Sequence, residues 1–171
     1  MDWAGLEQVA PDLAVRVRGA IERFGFVLVG TIRRDGTPRI SPVEAHVVRH
    51  HLMLVMIAGS HKARDLARDS RLTVQTPVTN PDRPESEAKL RGRVTEADQA
   101  QREATAALIE AERGWRPRDS WCFFALDLSA ASFVDWHEDH MTLSHWDQVN
   151  GLRPTEEHRL DMDASAYVPV A

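Results

Sequence analysis

The segment Gly59-Ser60-His61-Lys62 carries residue types that could bind a phosphate group, and it directly follows an apolar run at 52–58. Where a strand ends in a turn and a helix begins, several backbone N–H groups point towards one place. Ser60 adds a hydroxyl group, His61 a possible donor and Lys62 a positive charge. The segment therefore predicts a phosphate site. The alternative is an ordinary helix cap at Ser60, with His61 and Lys62 solvated.

Helical and strand patterns precede this segment. Residues 11–24 have apolar side chains at helical spacing, which predicts a helix. Residues 26–32 and 38–48 are β-type runs joined by an Asp-Gly turn, which predicts a hairpin. Pro42 interrupts the second run. It predicts a sheet edge, a bulge, or a place where something other than a neighbouring strand meets the backbone.

The chain after Lys62 continues to alternate between helical and strand patterns. In order, these predict a helix over 63–69, strands over 71–76 and 87–95, a helix over 99–113, and strands over 121–126, 131–136 and 141–146. Six or seven mostly antiparallel strands with peripheral helices indicate an α+β barrel. We expect one barrel domain over residues 1–147 and a polar tail or lid over residues 148–171.

The composition excludes several classes of protein. A length of 171 residues suits one domain, and a net charge of −5 argues against a nucleic-acid or anionic-membrane partner. No apolar run reaches membrane-spanning length, and the first residues lack the pattern of a secretory signal. The single cysteine, Cys122, excludes an internal disulfide bond and suits a reducing compartment. We therefore expect a cytoplasmic protein.

Histidines form two groups in the sequence, which raises the question of a metal site. The groups are His46, His50 and His51, and His137, His140 and His145. Metal ligands must converge within bonding distance, and on a strand only residues of equal parity share a face. The spacing within these groups does not meet that condition without an intervening turn. We expect solvated histidines and no metal site.

The order of these motifs resembles the pyridoxamine 5′-phosphate oxidase-like family of FMN-binding split β-barrels. The resemblance depends on the hairpin at 36–43, the strand at 52–57, the turn and helix at 59–66, and the late strand at 130–136. It extends over roughly residues 24–146. The order of these elements is more specific than the Ser-x-Lys tripeptide alone. The implied fold is a split β-barrel.

The resemblance also implies a cofactor, its site and an assembly. It implies that FMN is bound with its phosphate at Ser60, His61 and Lys62. The flavin ring would then lie against two strand segments, at Ser41, Pro42, Val43, Met56 and Ile57. The family further suggests a homodimer whose two flavins lie at the subunit interface. A strand that faces a cofactor at Pro42 would lose no ladder hydrogen bond.

Three positions depart from the family's pattern. An arginine of the phosphate turn is His61 here, so its charge depends on pH. A glutamine that often contacts the flavin corresponds to Glu87, whose carboxylate could repel an anionic reduced flavin. The oxidase itself ends with an Arg-Leu-His-Asp-Arg segment that binds pyridoxal phosphate, and residues 141–146 have no arginine. Oxidation of a phosphorylated vitamin B6 compound is therefore not expected.

The sequence and the resemblance together predict a flavin-dependent oxidoreductase that transfers a hydride to or from a small organic substrate. No residue is singled out as the catalytic acid or base. One alternative is a reductase of the same fold that uses deazaflavin F420, whose extra negative charges Arg39 and Arg64 could bind. The other is a non-catalytic flavin- or haem-binding module, for which His61 and Glu87 are the motivating departures.

Overall fold

The computed structural model describes residues 1–80, 85–137, 140–161 and 166–169. These residues form four helices: α1 Trp3–Val9, α2 Pro11–Phe24, α3 His61–Arg68 and α4 Gln99–Arg113. The strands are β1 Phe26–Ile32, β2 Pro38–Val48, β3 His51–Met56, β4 Arg71–Gln75, β5 Glu87–Glu96, β6 Cys122–Trp136, β7 His140–Asp147, β8 Gly151–Leu152, β9 Glu156–Asp161 and β10 Ala166–Pro169. Every helix among the described residues is too short or too polar to cross a bilayer.

Six strands close into an antiparallel barrel. The hydrogen-bonded order is β6-β3-β2-β1-β4-β5, and β5 pairs with β6 again. Closure depends on β6, because β3 pairs with its first residues, Cys122 to Leu126, while β5 pairs along Phe124 to Val134. Closing a sheet in this way leaves few strand edges unpaired. The predicted α+β split barrel is confirmed.

The last four strands extend the sheet outside the barrel. β7 pairs with the second half of β6, over residues 130–136. β8 and β9 then pair with β7, and β10 pairs with β9. Backbone pairing thus continues beyond residue 147 into the segment that the polar composition assigned to a tail or lid.

The prediction of separate strands at 121–126 and 131–136 is wrong, because β6 is one strand of 15 residues. Leu126, Leu128 and Ala130 are buried, while Asp127 and Ser129 between them are exposed. The alternation of a half-buried strand therefore continues through the polar residues that resembled a turn.

Gly92 allows β5 to follow this long strand. The pairing register shifts between Arg91, which pairs with Ala130, and Gly92, which pairs with Leu128. A Cβ atom at Gly92 would lie 2.0 Å from the carbonyl oxygen of Asp127. Only glycine fits such a close approach of two backbones.

Two apolar clusters stabilise the fold. The larger one fills the barrel, and side chains of α1, α2 and α3 pack against it, among them Trp3, Val17 and Leu66. The smaller one lies on the outer surface of the barrel, where Ile109 of α4 packs with Val55 and Phe123. The first three helices therefore pack with the barrel interior, and α4 covers one outer face.

A buried carboxylate connects α3 to the first hairpin. The Asp65 side chain is 7% exposed and accepts from Thr31 Oγ1 at 3.1 Å and from Arg39 Nε at 2.7 Å. Arg68 Nη1 lies 3.5 Å from its other oxygen. Burial alone would raise the pKa of Asp65, but the hydrogen bonds and positive charges around it lower the pKa below its usual value. This carboxylate is ionised and paired.

We expect Asp65→Asn to lower the free energy of unfolding at pH 7 by about 2 kcal/mol, a typical value for hydrogen bonds to a charged group. A lowered pKa in the folded state means that this stabilisation is present above the unfolded pKa, about 4, and is lost as pH falls through the folded value. Denaturant unfolding from pH 7 to pH 3 measures both effects. Asp119→Asn, at an exposed position, is the control. A gap between wild type and Asp65→Asn that stays constant with pH would contradict this account.

Candidate functional site

The turn between β3 and α3 presents free backbone donors. Gly59 has a φ of 73°, a left-handed conformation that suits glycine, and Ser60 caps the helix by accepting from Ala63 N at 3.4 Å. Arg64 N donates to Ser60 O, which leaves the N–H groups of His61 and Lys62 without a hydrogen bond among the described residues. These two amides are available to an anion.

Lys62 reaches from this turn to β2. Its Nζ donates to the carbonyl oxygen of Pro42 at 2.7 Å. Partial burial lowers the pKa of the Lys62 ammonium below its usual value. A carbonyl oxygen supplies only a partial negative charge, so no carboxylate neutralises this cation in the contacts of the described residues. An anion beside Lys62 would neutralise its charge and accept a charge-assisted hydrogen bond.

Pro42 lies where β2 has a free edge. The β2–β3 pairing begins at Glu44 and Val55, so residues 38–43 of β2 pair only with β1. Lys62 meets the backbone of β2 at this edge. Of the three predictions for Pro42, the pairing supports the position at a sheet edge.

The other residues expected near the flavin ring lie on different faces. Pro42 is exposed, Ser41 is half-buried, and Val43 is buried. Met56 packs in the main core and is 2% exposed, whereas Ile57, one residue later, is 59% exposed. The side chains of Pro42 and Ile57 are thus accessible from outside the barrel, whereas Val43 and Met56 pack in the core.

His61 is exposed and lies beside an arginine of its own helix. Arg64 Nη2 is 3.1 Å from His61 Nδ1. Since a guanidinium only donates, Nδ1 must accept, which places the ring proton of a neutral imidazole on Nε2. The turn thus has a permanent positive charge at Arg64. This charge lies beside His61, the position at which the family pattern has an arginine.

The carboxylate of Glu87 is already paired. Lys89 Nζ donates to one of its oxygens at 2.6 Å, and Gln75 Nε2 donates to the other at 2.8 Å. The ammonium of Lys89 offsets the charge that could repel a reduced flavin.

Sequence reasoning missed the part that Asp65 has in placing the turn. Asp65 has the appearance of a solvated charge, because arginines stand at positions 64 and 68. The available signal was its place between Ala63 and Leu66, two residues on the core-facing side of α3. A charged residue in that position must find buried partners.

The histidine groups do not form a metal site among the described residues. No group of three or more His, Cys, Asp or Glu side chains converges there. The rings of His137 and His140 stack, with centroids 4.3 Å apart and planes at 15°.

The sequence model of the pyridoxamine 5′-phosphate oxidase family matches residues 14–134, more than half of the chain. The chain belongs to this family. The sequence matches no curated protein at a significant level.

Solved structures with this fold have diverse functions. PhzG from Burkholderia lata, in complex with tetrahydrophenazine-1-carboxylic acid, has a TM-score of 0.57 at 12% identity, covering 92% of this chain and 88% of its own. A heme binding protein from Mycobacterium smegmatis has a TM-score of 0.60 at 15% identity, covering 77% of this chain and 57% of its own. The heme storage protein HutZ from Vibrio cholerae has a TM-score of 0.55 at 10% identity, covering 70% of this chain and 89% of its own. At these identities the likeness shows the fold alone.

The chemistry of the turn fits the phosphate of a flavin. The four donors are the amides of His61 and Lys62, the Lys62 ammonium and the Arg64 guanidinium, and all four belong to residues 61–64. Such a set suits a phosphate dianion.

We expect His61 to be the Nε2–H tautomer in the ligand-free protein at pH 8, because the Arg64 guanidinium holds the Nδ1 lone pair. Long-range ¹H–¹⁵N correlation spectra of the histidine ring distinguish the two tautomers. Arg64→Ala should allow a mixture, whereas Arg118→Ala, at an exposed position in the loop before β6, should leave the spectrum unchanged. A predominant Nδ1–H signal in the wild type would refute the contact.

Proposed function

We propose that this protein is a flavin-dependent oxidoreductase that uses FMN to transfer a hydride to or from a small organic substrate. The observation that carries the proposal is the partly buried Lys62 ammonium. Among the described residues its one hydrogen-bond partner is a carbonyl oxygen, and it stands beside two amides that have no partner there. Membership of the family supports the choice of a flavin. The single cysteine supports a cytoplasmic location.

Different residues of the site hold the phosphate and the ring of the cofactor. Lys62 and the amides of the turn bind the phosphate, and Ser60 fixes the first turn of α3. Pro42 and Ile57 offer apolar surface for one face of the ring. When bound, the flavin supplies the hydride chemistry, so the protein's contribution is orientation and exclusion of water.

Two other cofactors belong to the same proposal as alternatives. Deazaflavin F420 would use the same turn, with Arg39 and Arg64 near its additional negative charges. Haem is considered because two of the similar solved structures are heme proteins. Flavin, deazaflavin and haem have distinct absorbance spectra, so the absorbance spectrum of the purified protein discriminates between them.

We further propose a homodimer formed through the outer face of β1 and β2. Directly opposed residues share a face, and the pairs Leu28–Pro42 and Gly30–Ile40 lie on the side that faces away from the core. Ile40 is 74% exposed there. An exposed apolar face of this kind suits a subunit interface, and it adjoins the cofactor turn through Pro42.

Lys62→Gln should weaken FMN binding by about 10- to 100-fold, the equivalent of one charge-assisted hydrogen bond. Titration of the apoprotein, followed by flavin fluorescence, measures the dissociation constant, and parallel titrations with F420 and haem identify the cofactor. Arg118→Ala is the control for a general loss of positive charge. Equal FMN affinity in wild type and Lys62→Gln would remove the phosphate assignment.

Ile40→Glu should convert the dimer into a monomer, because a charge placed in an apolar interface is left without a partner. Light scattering coupled to size-exclusion chromatography reports the mass directly. The matched control is Val149→Glu, since Val149 is 90% exposed and lies outside the barrel. A monomeric wild type, or an unchanged mass for Ile40→Glu, would exclude this interface.

A further inference from the structure

His46 lies between β2 and the C-terminal end of α4, on the outer face of the barrel. Its side chain is 5% exposed. Val48, on the same face of β2, and Met53, which pairs with His46 across the sheet, both belong to the smaller apolar cluster that α4 covers. The expectation of a solvated histidine is therefore wrong at this position. A titratable ring is buried at the contact between the helix and the barrel.

Two carboxylates face the two ring nitrogens of His46. Nε2 lies 3.2 Å from Oε1 of Glu44, which belongs to β2, and Nδ1 lies 3.8 Å from Oε2 of Glu112, which belongs to α4. A carboxylate only accepts, so Nε2 carries the proton that is donated to Glu44. In a neutral imidazole, Nδ1 then has a lone pair beside the Glu112 carboxylate, and the two repel. A neutral ring therefore binds the strand and not the helix.

Protonation of His46 changes its contact with α4 from repulsion to attraction. An imidazolium has a proton on each nitrogen, so Nδ1 can donate to Glu112 while Nε2 still donates to Glu44. The Glu112 side chain is 53% exposed and free to move. A shift of roughly 1 Å brings its oxygen within hydrogen-bond distance of Nδ1. The protonated ring would then connect β2 to α4.

The groups around His46 offset the cost of burying a charged ring. Arg113 belongs to the same cluster, since its Nε lies 4.0 Å from Oε1 of Glu44. Two carboxylates and one guanidinium leave one net negative charge, which an imidazolium neutralises. Glu112 and Arg113 also stand in the last turn of α4, where the helix dipole favours a cation.

The neighbouring elements add little further charge to this cluster. β1 and β3 place the apolar side chains of Phe26 and Met53 opposite Glu44 and His46, respectively. The nearest titratable group of β3 on this face is His51, which pairs with the next outward-facing residue of β2. Two further glutamates of α4 are bound to an arginine of the following loop: Glu103 and Glu110, to Arg116.

We propose that His46 is a pH-sensitive contact that fixes the C-terminal end of α4 to β2 when it is protonated and releases that end when it is neutral. The docked helix then binds the proton more strongly than the released helix. The added stability is therefore present below the range in which histidine titrates, about pH 5 to 8, and is lost as pH rises through it. At high pH, α4 covers the apolar cluster around Ile109 less tightly. This device does not depend on the proposed flavin chemistry.

Amide hydrogen exchange of the full ligand-free chain at pH 5.5 and pH 8, followed by NMR, tests the contact. After correction for the intrinsic pH dependence of exchange, we expect the amides of residues 109–113 to be about tenfold better protected at pH 5.5. This is the effect of about one contact with a charged group. His46→Gln should abolish the gain.

Two glutamate variants of α4 form a matched pair for this experiment. Glu112→Gln should reduce the gain to less than about threefold, because the negative charge that attracts the imidazolium is lost. Glu110→Gln should retain the tenfold gain, since the partner of Glu110 is Arg116. Both side chains are more than half exposed, so both variants should fold, which thermal unfolding checks. The glutamate pair therefore tests the proposal even if His46→Gln does not fold.

Four results would overturn the proposal. They are equal protection of residues 109–113 at both pH values in the wild type, an unchanged gain in Glu112→Gln, an equal reduction in Glu110→Gln, and a gain that persists in His46→Gln. The first would show that protonation does not affect the helix end. The second and third would exclude a specific contact with Glu112, and the fourth would assign the pH dependence to another group, such as His51. Because no cofactor is present, a failure of FMN binding leaves this inference standing.

Discussion

The arrangement of the candidate site depends on the hydrogen bonds and ion pairs of the buried Asp65 carboxylate. A carboxylate that is removed from water must be paired with positive charges or hydrogen-bond donors. Its partners come from three elements: Thr31 in β1, Arg39 in β2 and Arg68 in α3 itself. Because these partners belong to a paired hairpin, α3 has one favourable orientation against it. The turn before α3 takes its position from that orientation. The stability of the fold and the geometry of the candidate site are therefore linked through a single side chain.

The site also joins a strand edge to a helix start. Barrel closure satisfies the hydrogen bonds of most backbone groups. The pairing of β2 with β3 covers only Glu44 to Val48, so Pro42 lies at an open edge of β2. Lys62 contacts that edge at the cost of part of its hydration, which is why its pKa is lowered. The helix start contributes free N–H groups at the same place. A lysine with a lowered pKa beside free backbone N–H groups is typical of a ligand-binding position.

Local signals were sufficient for much of the fold. The helix Pro11–Phe24, the hairpin strands and the helix Gln99–Arg113 follow from periodicity and from turn and cap residues that act over a few positions. The contacts of Asp65 and Lys62 could not be predicted in this way, because their partners are 34 and 20 residues away. The wrong prediction of a break inside β6 had a local cause. Asp127 and Ser129 are typical turn residues, and only the pairing with β5 shows that the strand continues through them.

The central position of β6 has a consequence for synthesis of the chain on the ribosome. β3 ends at Met56 and β5 at Glu96, yet the strand that joins them begins at Cys122. A nascent chain therefore carries two unpaired strand edges for the whole interval in which α4 and the following loop are made. Open edges of this kind invite pairing with other chains. Chaperone binding during this interval, and not the stability of the finished barrel, would then set the yield of folded protein.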